Sequence, residues 1–392
     1  MTVRRPMPTP VTALLAACDT RRATMLGEPY ATDFDAAASS APLLHHALRP
    51  EQPDTTTAVS TRWFTEHALA QIASLLHAPA HRWRGAVCES LLTATLRTLM
   101  PLRRDAPDLV LYRSAAAHPH LAAAAEVLDL DSVVVPVDRR GAVSVSELAA
   151  EVRRRRSHRA VVVATLGTPA TGALDDVAGV RAATDLPQVQ RHLHLDAPLE
   201  GLARAVRDDV PASAGFSSGA DSIVVAADQF LGVQLPCAVT IHRTDPARST
   251  DDSVGAAAAL DIGSGHAAVL LWLALHEFGV DGLARRARRS DALARYTLRR
   301  LQELGWPAWR HPGSMTVVLR PPSLLLRRRW SLRVSNGWAR IVCVPGVTEA
   351  HIDRFIAELG PDMPPSPAAS TAAADPDVPV EPAAGRGPAQ AA

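Results

Sequence analysis

Not one lysine occurs among the 392 residues; all 41 basic positions are arginine. That absence excludes any chemistry that begins with a lysine imine, because no other side chain supplies an ε-amino nucleophile. Abundant Arg and Ala beside almost no Lys or Asn is the composition a GC-rich coding sequence produces, so most of the depletion needs no functional cause. Cysteine is also scarce. Cys18, Cys88, Cys237 and Cys343 show neither disulfide nor metal-ligand spacing, which points to free thiols in a reducing compartment and to no metal site. No charge-free apolar run approaches the ~18 residues of a membrane span, and no apolar stretch of signal-peptide length follows Arg4 and Arg5. A cytoplasmic protein is expected. The formal net charge of +1 argues against a nucleic-acid binder; the runs Arg153–Arg156, Arg285–Arg289 and Arg327–Arg329 read as solvated faces.

What is present is a chain of 41.7 kDa with 47% hydrophobic residues, enough for a large core. Strand-like and helix-like segments alternate through its middle. Helical spacing places Phe64, Leu69, Ile72, Leu75 and Leu76 on one face of Trp63–His77, and Ser90–Leu99 reads as a second helix. Strands are expected at Leu109–Arg113, Ser132–Val137, Arg159–Leu166, His192–Asp196 and Ser222–Ala227. Helices are expected between them at Pro119–Leu128, at Val145–Arg156 with Ser144 as N-cap, and at Asp175–Thr184. The continuous apolar run to Leu166 is typical of a strand buried on both faces of a parallel sheet. The expected fold class is therefore α/β with a mostly parallel sheet, followed by a small α+β domain. That small domain has a long helical region (Ala267–Phe278, then Gly282–Leu304), strands at Met315–Leu319 and Ala339–Val344, and a final helix at Glu349–Leu359. The expected divisions are an N-terminal segment 1–60, a large domain 61–245, a small domain 246–360 and a disordered tail 361–392 rich in Pro and Ala. A short helix at Val11–Cys18 is the only element expected near the N-terminus.

Several blocks, in order, resemble pyridoxal-phosphate-dependent group II amino-acid decarboxylases, most closely the bacterial histidine decarboxylase type. They are LGEPYATDFD (26–35), SAAAHPH (114–120), TLGTPATGALDDV (165–177), HLHLDAPLEG (192–201), DSIVVAADQFLG (221–232), SGH (264–266) and WARIVCVP (338–345). The resemblance covers about 330 residues. It implies the fold-type-I, aspartate-aminotransferase-like architecture, and a dimer in which the N-terminal segment packs against the partner. It also implies roles at the cofactor for His118, stacked on the pyridine ring, for Asp196, paired with the ring nitrogen, and for Ala197 and Thr168 beside them. An adjacent carboxylate keeps such a ring protonated and hence an electron sink.

The chain departs from that family where the cofactor would be anchored. The family's Ser-x-His-Lys reads Ala226, Ala227, Asp228, Gln229, and an amide cannot form the imine. The Gly-rich phosphate turn reads Glu89-Ser90-Leu91-Leu92-Thr93-Ala94-Thr95, with leucines at glycine positions and a carboxylate facing a dianion. Gly263 replaces an arginine. Asp228, Gln229 and His118 remain the candidate catalytic positions, with no metal. Bland roles stand beside these: Asp196 capping the next turn, His118 starting a helix, His194 as a buried hydrogen-bonded residue, Cys237 as core packing. Three functions stay open. One is a non-catalytic partner or scaffold, as a homodimer or paired with a decarboxylase paralogue. Another is an enzyme reusing the cleft for lysine-independent chemistry on an amino-acid-derived ligand. The last is a carboxy-lyase using free pyridoxal phosphate.

Overall fold

A computed structural model describes residues 23–35, 47–49, 58–155, 159–209, 215–244 and 265–360. The expected helix at Val11–Cys18, the tail from Pro361, Arg156, Gly263 and Ser264 lie outside the described residues. Strands β1 (Ala47–Arg49) and β2 (Ala58–Ser60) pair in parallel before helix α1 (Arg62–Leu75). There follow β3 (Trp83–Cys88), α2 (Leu91–Asp105), β4 (Val110–Ser114), α3 (Pro119–Val127), β5 (Asp131–Val135), α4 (Val145–Arg155), β6 (Arg159–Thr165) and α5 (Val177–Ala183). Then come β7 (Gln190–Asp196), α6 (Glu200–Ala205), β8 (Ser222–Ala226) and β9 (Ala238–Arg243).

These strands build a seven-stranded sheet in the order β3-β9-β8-β7-β6-β4-β5, parallel from β8 to β5, with β9 and β3 antiparallel at one end. The expectation of a mostly parallel sheet holds. Ala160–Thr165 of β6 and all of β8 are buried, because helices cover both faces. Strands β3 and β9 and helix α6 were not foreseen. They follow Gly- or Pro-containing stretches that read as turns, and pairing with the finished sheet makes β3 and β9 strands.

The C-terminal part contains α7 (Gly265–Glu303), β10 (Ala308–Arg310), β11 (Thr316–Leu319), α8 (Leu324–Arg329), β12 (Val334–Ser335), β13 (Trp338–Val342) and α9 (Glu349–Leu359). Its antiparallel sheet runs β10-β11-β13-β12. Trp306, Val317, Trp330, Ile341 and Phe355 form a second core there, separate from the core of the large sheet. Helix α7 joins the two: Ala267, Leu271 and Leu275 belong to the large core, Leu293 and Leu301 to the small one. Between them Gly279 adopts φ 58°, ψ 178°, a conformation open only to glycine, and the helix kinks. By length and composition α7 is apolar enough to cross a membrane, but half of its most apolar window is buried inside the structure.

Residues 23–35 lie against this chain's own body. Leu26 N–H donates to the Trp330 carbonyl and Val342 N–H to that of Leu26, while Thr32 N–H donates to the Pro345 carbonyl. At Gly27 a Cβ would land on the Ser331 carbonyl oxygen, so only glycine admits this approach. The reading of Arg285–Arg289 as a solvated face fails at Arg286, which is buried. Its guanidinium grips both Asp33 oxygens, at 2.6 and 2.8 Å, donates to the Phe230 carbonyl at 3.1 Å, and lies 4.0 Å from the Phe278 ring centre. An arginine inside the fold needs such satisfaction, and this one joins the N-terminal segment, α7 and the loop after β8.

Candidate active-site cleft

A cleft of about 1280 Å³ opens at the carboxyl ends of the parallel strands, the usual ligand position in such sheets. Each strand end delivers residues to it: Ala115–His120 after β4, Gly167–Ala170 after β6, Asp196 and Pro198 at β7, Asp228 and Gln229 after β8. Glu89–Leu92 enter from the start of α2, Glu28–Thr32 from the N-terminal segment, and Arg333, Asn336 and Arg340 from the small domain. His118, Asp196, Asp228, Gln229 and Thr168, scattered in sequence, are thus gathered in one cavity. Ala197 is not among the lining residues; it is buried, and its N–H donates to the Val224 carbonyl. Thr168 Oγ1 is occupied within its own turn, accepting from Ala173 N–H at 3.0 Å.

Asp196 is fully buried, and neither carboxylate oxygen has a hydrogen-bond partner among the described residues. It caps no turn, which removes the bland reading. Burial alone would raise its carboxyl. The neighbouring His120, and behind it His194 and His118, outweigh burial and hold the carboxyl below its usual range. His120 Nε2 stands 3.4 Å from Asp196 Oδ1, near enough to act electrostatically but outside hydrogen-bonding geometry. The other ring nitrogen of His120 is 2.8 Å from His118 Nδ1.

Sequence reasoning missed His120. Its signal lay in the His-Pro-His triplet: His118 caps α3, Pro119 takes the first helical position, and His120 turns back beneath it. His118 Nδ1 accepts from His120 N–H at 3.2 Å, so His118 starts a helix and also lines the cleft. Burial, then His120, lowers its pKa.

His194 is the buried, bonded residue expected, with Nδ1 2.8 Å from Ser222 Oγ. Ser222 also meets His192, and His242 on β9 meets Thr240, so β7–β9 carry a buried polar seam behind the cleft. Cys237 is buried as expected, although it borders the cleft. Asp228 is pushed up to about 6 by burial, against the pull of its own N–H and that of Gln229. No cation pairs with it among the described residues. Tyr30 is raised by partial burial and by Asp228. On the opposite wall Arg333 is held by Glu28 at 2.9 Å, while Arg340 Nε donates to the Gly27 carbonyl.

The residues fit pyridoxal phosphate on one side only. An unpartnered buried carboxylate with a histidine wall suits a protonated ring nitrogen. The other side does not fit: Gln229 offers no nucleophile, and the bulky Leu91 and Leu92 border the cleft where a phosphate needs close backbone approach. The Ser90 hydroxyl already accepts from Thr93 N–H at 3.1 Å, and Glu89 and Asp228 add carboxylates. A covalently held cofactor has no place here.

Residues 102–306 match the pyridoxal-dependent decarboxylase conserved domain. A histidine decarboxylase of Mesorhizobium japonicum is 29% identical over 339 residues, 84% of this chain and 91% of that protein. One from Pseudomonas entomophila is 28% identical over 317 residues, 76% of this chain and 77% of the relative. Among solved structures, an L-methionine decarboxylase from a Streptomyces species superposes with TM-score 0.76 at 19% identity, covering 90% of this chain and 94% of its own. A sphingosine-1-phosphate lyase of Burkholderia pseudomallei gives 0.74 at 20% identity, covering 92% of each. The α/β fold is therefore that of the fold-type-I enzymes. With more than half of its length matched by the family's domain, the chain belongs to the pyridoxal-dependent decarboxylase family.

Proposed function

We propose that this protein is a non-catalytic member of the family, serving as a subunit or scaffold, either paired with itself or beside an active decarboxylase relative. The observation that carries this reading is Gln229 at the place of the imine lysine in a chain without any lysine. The loop bearing it keeps its shape without the chemistry: the Gln229 carbonyl accepts from Ala31 N–H at 2.7 Å, and Arg286 holds the Phe230 carbonyl. A fold preserved around a dismantled centre is what an inherited assembly role requires. The test adds pyridoxal phosphate to purified protein, with equilibrium dialysis and the cofactor's visible spectrum as readouts, alongside co-purification with a decarboxylase paralogue. Neither tight binding nor a shifted band is expected; tight binding with a shifted band would sink the reading. Ordinary decarboxylation on free cofactor is disfavoured, since neither phosphate nor imine has an anchor.

A second reading has its own support: the cleft still takes an amino-acid-derived ligand. Asp196 is unpartnered and sealed, His118 and Asp228 border the same space, and such a set suits acid–base work. Histidine or its amine is the natural candidate, given the names of the curated relatives.

A further inference from the structure

A buried carboxylate with no hydrogen-bond partner keeps acceptor positions that an N–H donor can fill. Asp196 is in that state, with both oxygens unpartnered and the residue at the cleft floor. Its histidine neighbours favour the ionised form from close by but leave those positions open. His194 Nδ1 is turned to Ser222 Oγ, and His118 Nδ1 to the His120 N–H. His120 is misaligned and engaged with His118 through its other nitrogen. Asp228, on the next strand end, also lacks a cationic partner among the described residues. The cations bordering the cleft, Arg333 and Arg340, come from the small domain's β12–β13 region, and Arg333 is held by Glu28. Leu91, Leu92 and Leu235 give the cavity an apolar wall.

We propose that the cleft is a site for a small organic cation without phosphate, whose N–H groups pair with the Asp196 carboxylate and whose apolar or aromatic body lies along Leu91, Leu92 and Leu235. No bond is made or broken. The site inverts the charge preference that a pyridoxal phosphate pocket needs, selecting cations and rejecting dianions. This deepens the ligand-binding reading and does not depend on whether the chain also serves as a subunit.

Titration calorimetry on the full chain at pH 7.5 tests it with three probes: histamine, its anionic analogue imidazole-4-acetate, and pyridoxal phosphate. Histamine is expected to bind at least tenfold more tightly than either anion. Asp196→Asn is expected to weaken histamine at least tenfold, Asp228→Asn by a smaller factor, and the surface control Asp185→Asn not at all. Equal or tighter binding of either anion overturns the proposal, as does undiminished histamine affinity in folded Asp196→Asn, or no histamine binding at millimolar concentration. Should Asp196→Asn fail to fold by circular dichroism, the histamine-to-imidazole-acetate ratio in wild type and in Asp228→Asn decides: an unchanged ratio in that variant overturns the proposal. The subunit reading falls on different results, a shifted cofactor band with tight pyridoxal phosphate binding, so the two failures are distinguishable.

Discussion

Asp196 is buried without a hydrogen-bond partner, yet its histidine neighbours hold the carboxyl below its usual range, so the fold favours the ionised form above the unfolded value of 3.8. Asp196→Asn keeps the shape and removes the charge. It is expected to lower the stability of the ligand-free protein at neutral pH, measured as a fall in Tm by calorimetry; a rise would show that the cost of burying the charge outweighs the histidines. Gln229 calls for a different expectation. Gln229→Lys supplies one group while Asp228, Leu91 and Leu92 still oppose the phosphate, so added pyridoxal phosphate should give no imine absorption band. Appearance of that band would show that the phosphate end is still competent. Lysine's absence from the whole chain was legible at once, but its meaning was not. Only the gathering of Asp228, Glu89, Leu91 and Gln229 in one cavity ties it to a particular place in the fold. His120 stayed hidden because its role depends on the direction α3 takes after Pro119, which spacing alone does not give.

At the scale of elements, helix α7 carries two separable devices. Gly279 sits at φ 58°, ψ 178°, and a Cβ there would meet nothing within 4 Å. The position is constrained by backbone conformation alone, so Gly279→Ala should cost about 1–3 kcal/mol, read from the urea midpoint at unchanged m-value. Arg286, about two turns further on, is buried against Asp33, which is partly exposed. Arg286→Met should cost about 2–4 kcal/mol, a value set below that of a fully buried pair because water screens Asp33. Hydrogen exchange should show the loss first in residues 26–35. The two-part reading of this helix, Ala267–Phe278 and Gly282–Leu304, anticipated the kink because Gly279 interrupts an apolar stripe. The arginine run gave no such help: a run of like charge on a helix looks solvated until the chain wrapping over it is known.

Across the whole molecule, protonation links the fold to its buried histidines. Burial lowers His194 and His242 to about 3 from 6.5. Both stay neutral in the fold, while the unfolded chain takes up protons below about 6.5. Their contribution is therefore fully present above 6.5 and is lost as pH falls toward 3. From pH 6.5 to 5 each removes roughly 2 kcal/mol, at about 1.4 kcal/mol per unit. Tm should fall steeply over that interval, and His242→Gln should flatten the decline; an unchanged slope would place the acid sensitivity elsewhere. Fold class and most strands of the large sheet were readable because Arg159–Thr165 and Ser222–Ala226 are continuous apolar runs bounded by turns. The edge pair β3–β9 was not, since its residues become strand-like only once there is a sheet to extend.

The bond from Ala31 N–H to the Gln229 carbonyl uses the main chain at position 229 and asks nothing of the side chain. Architecture and reactivity are thus decoupled at this one residue. A lineage can exchange the side chain there, lose its chemistry and keep every contact that shapes the loop, so loss of an enzyme's reaction need leave no scar on its fold.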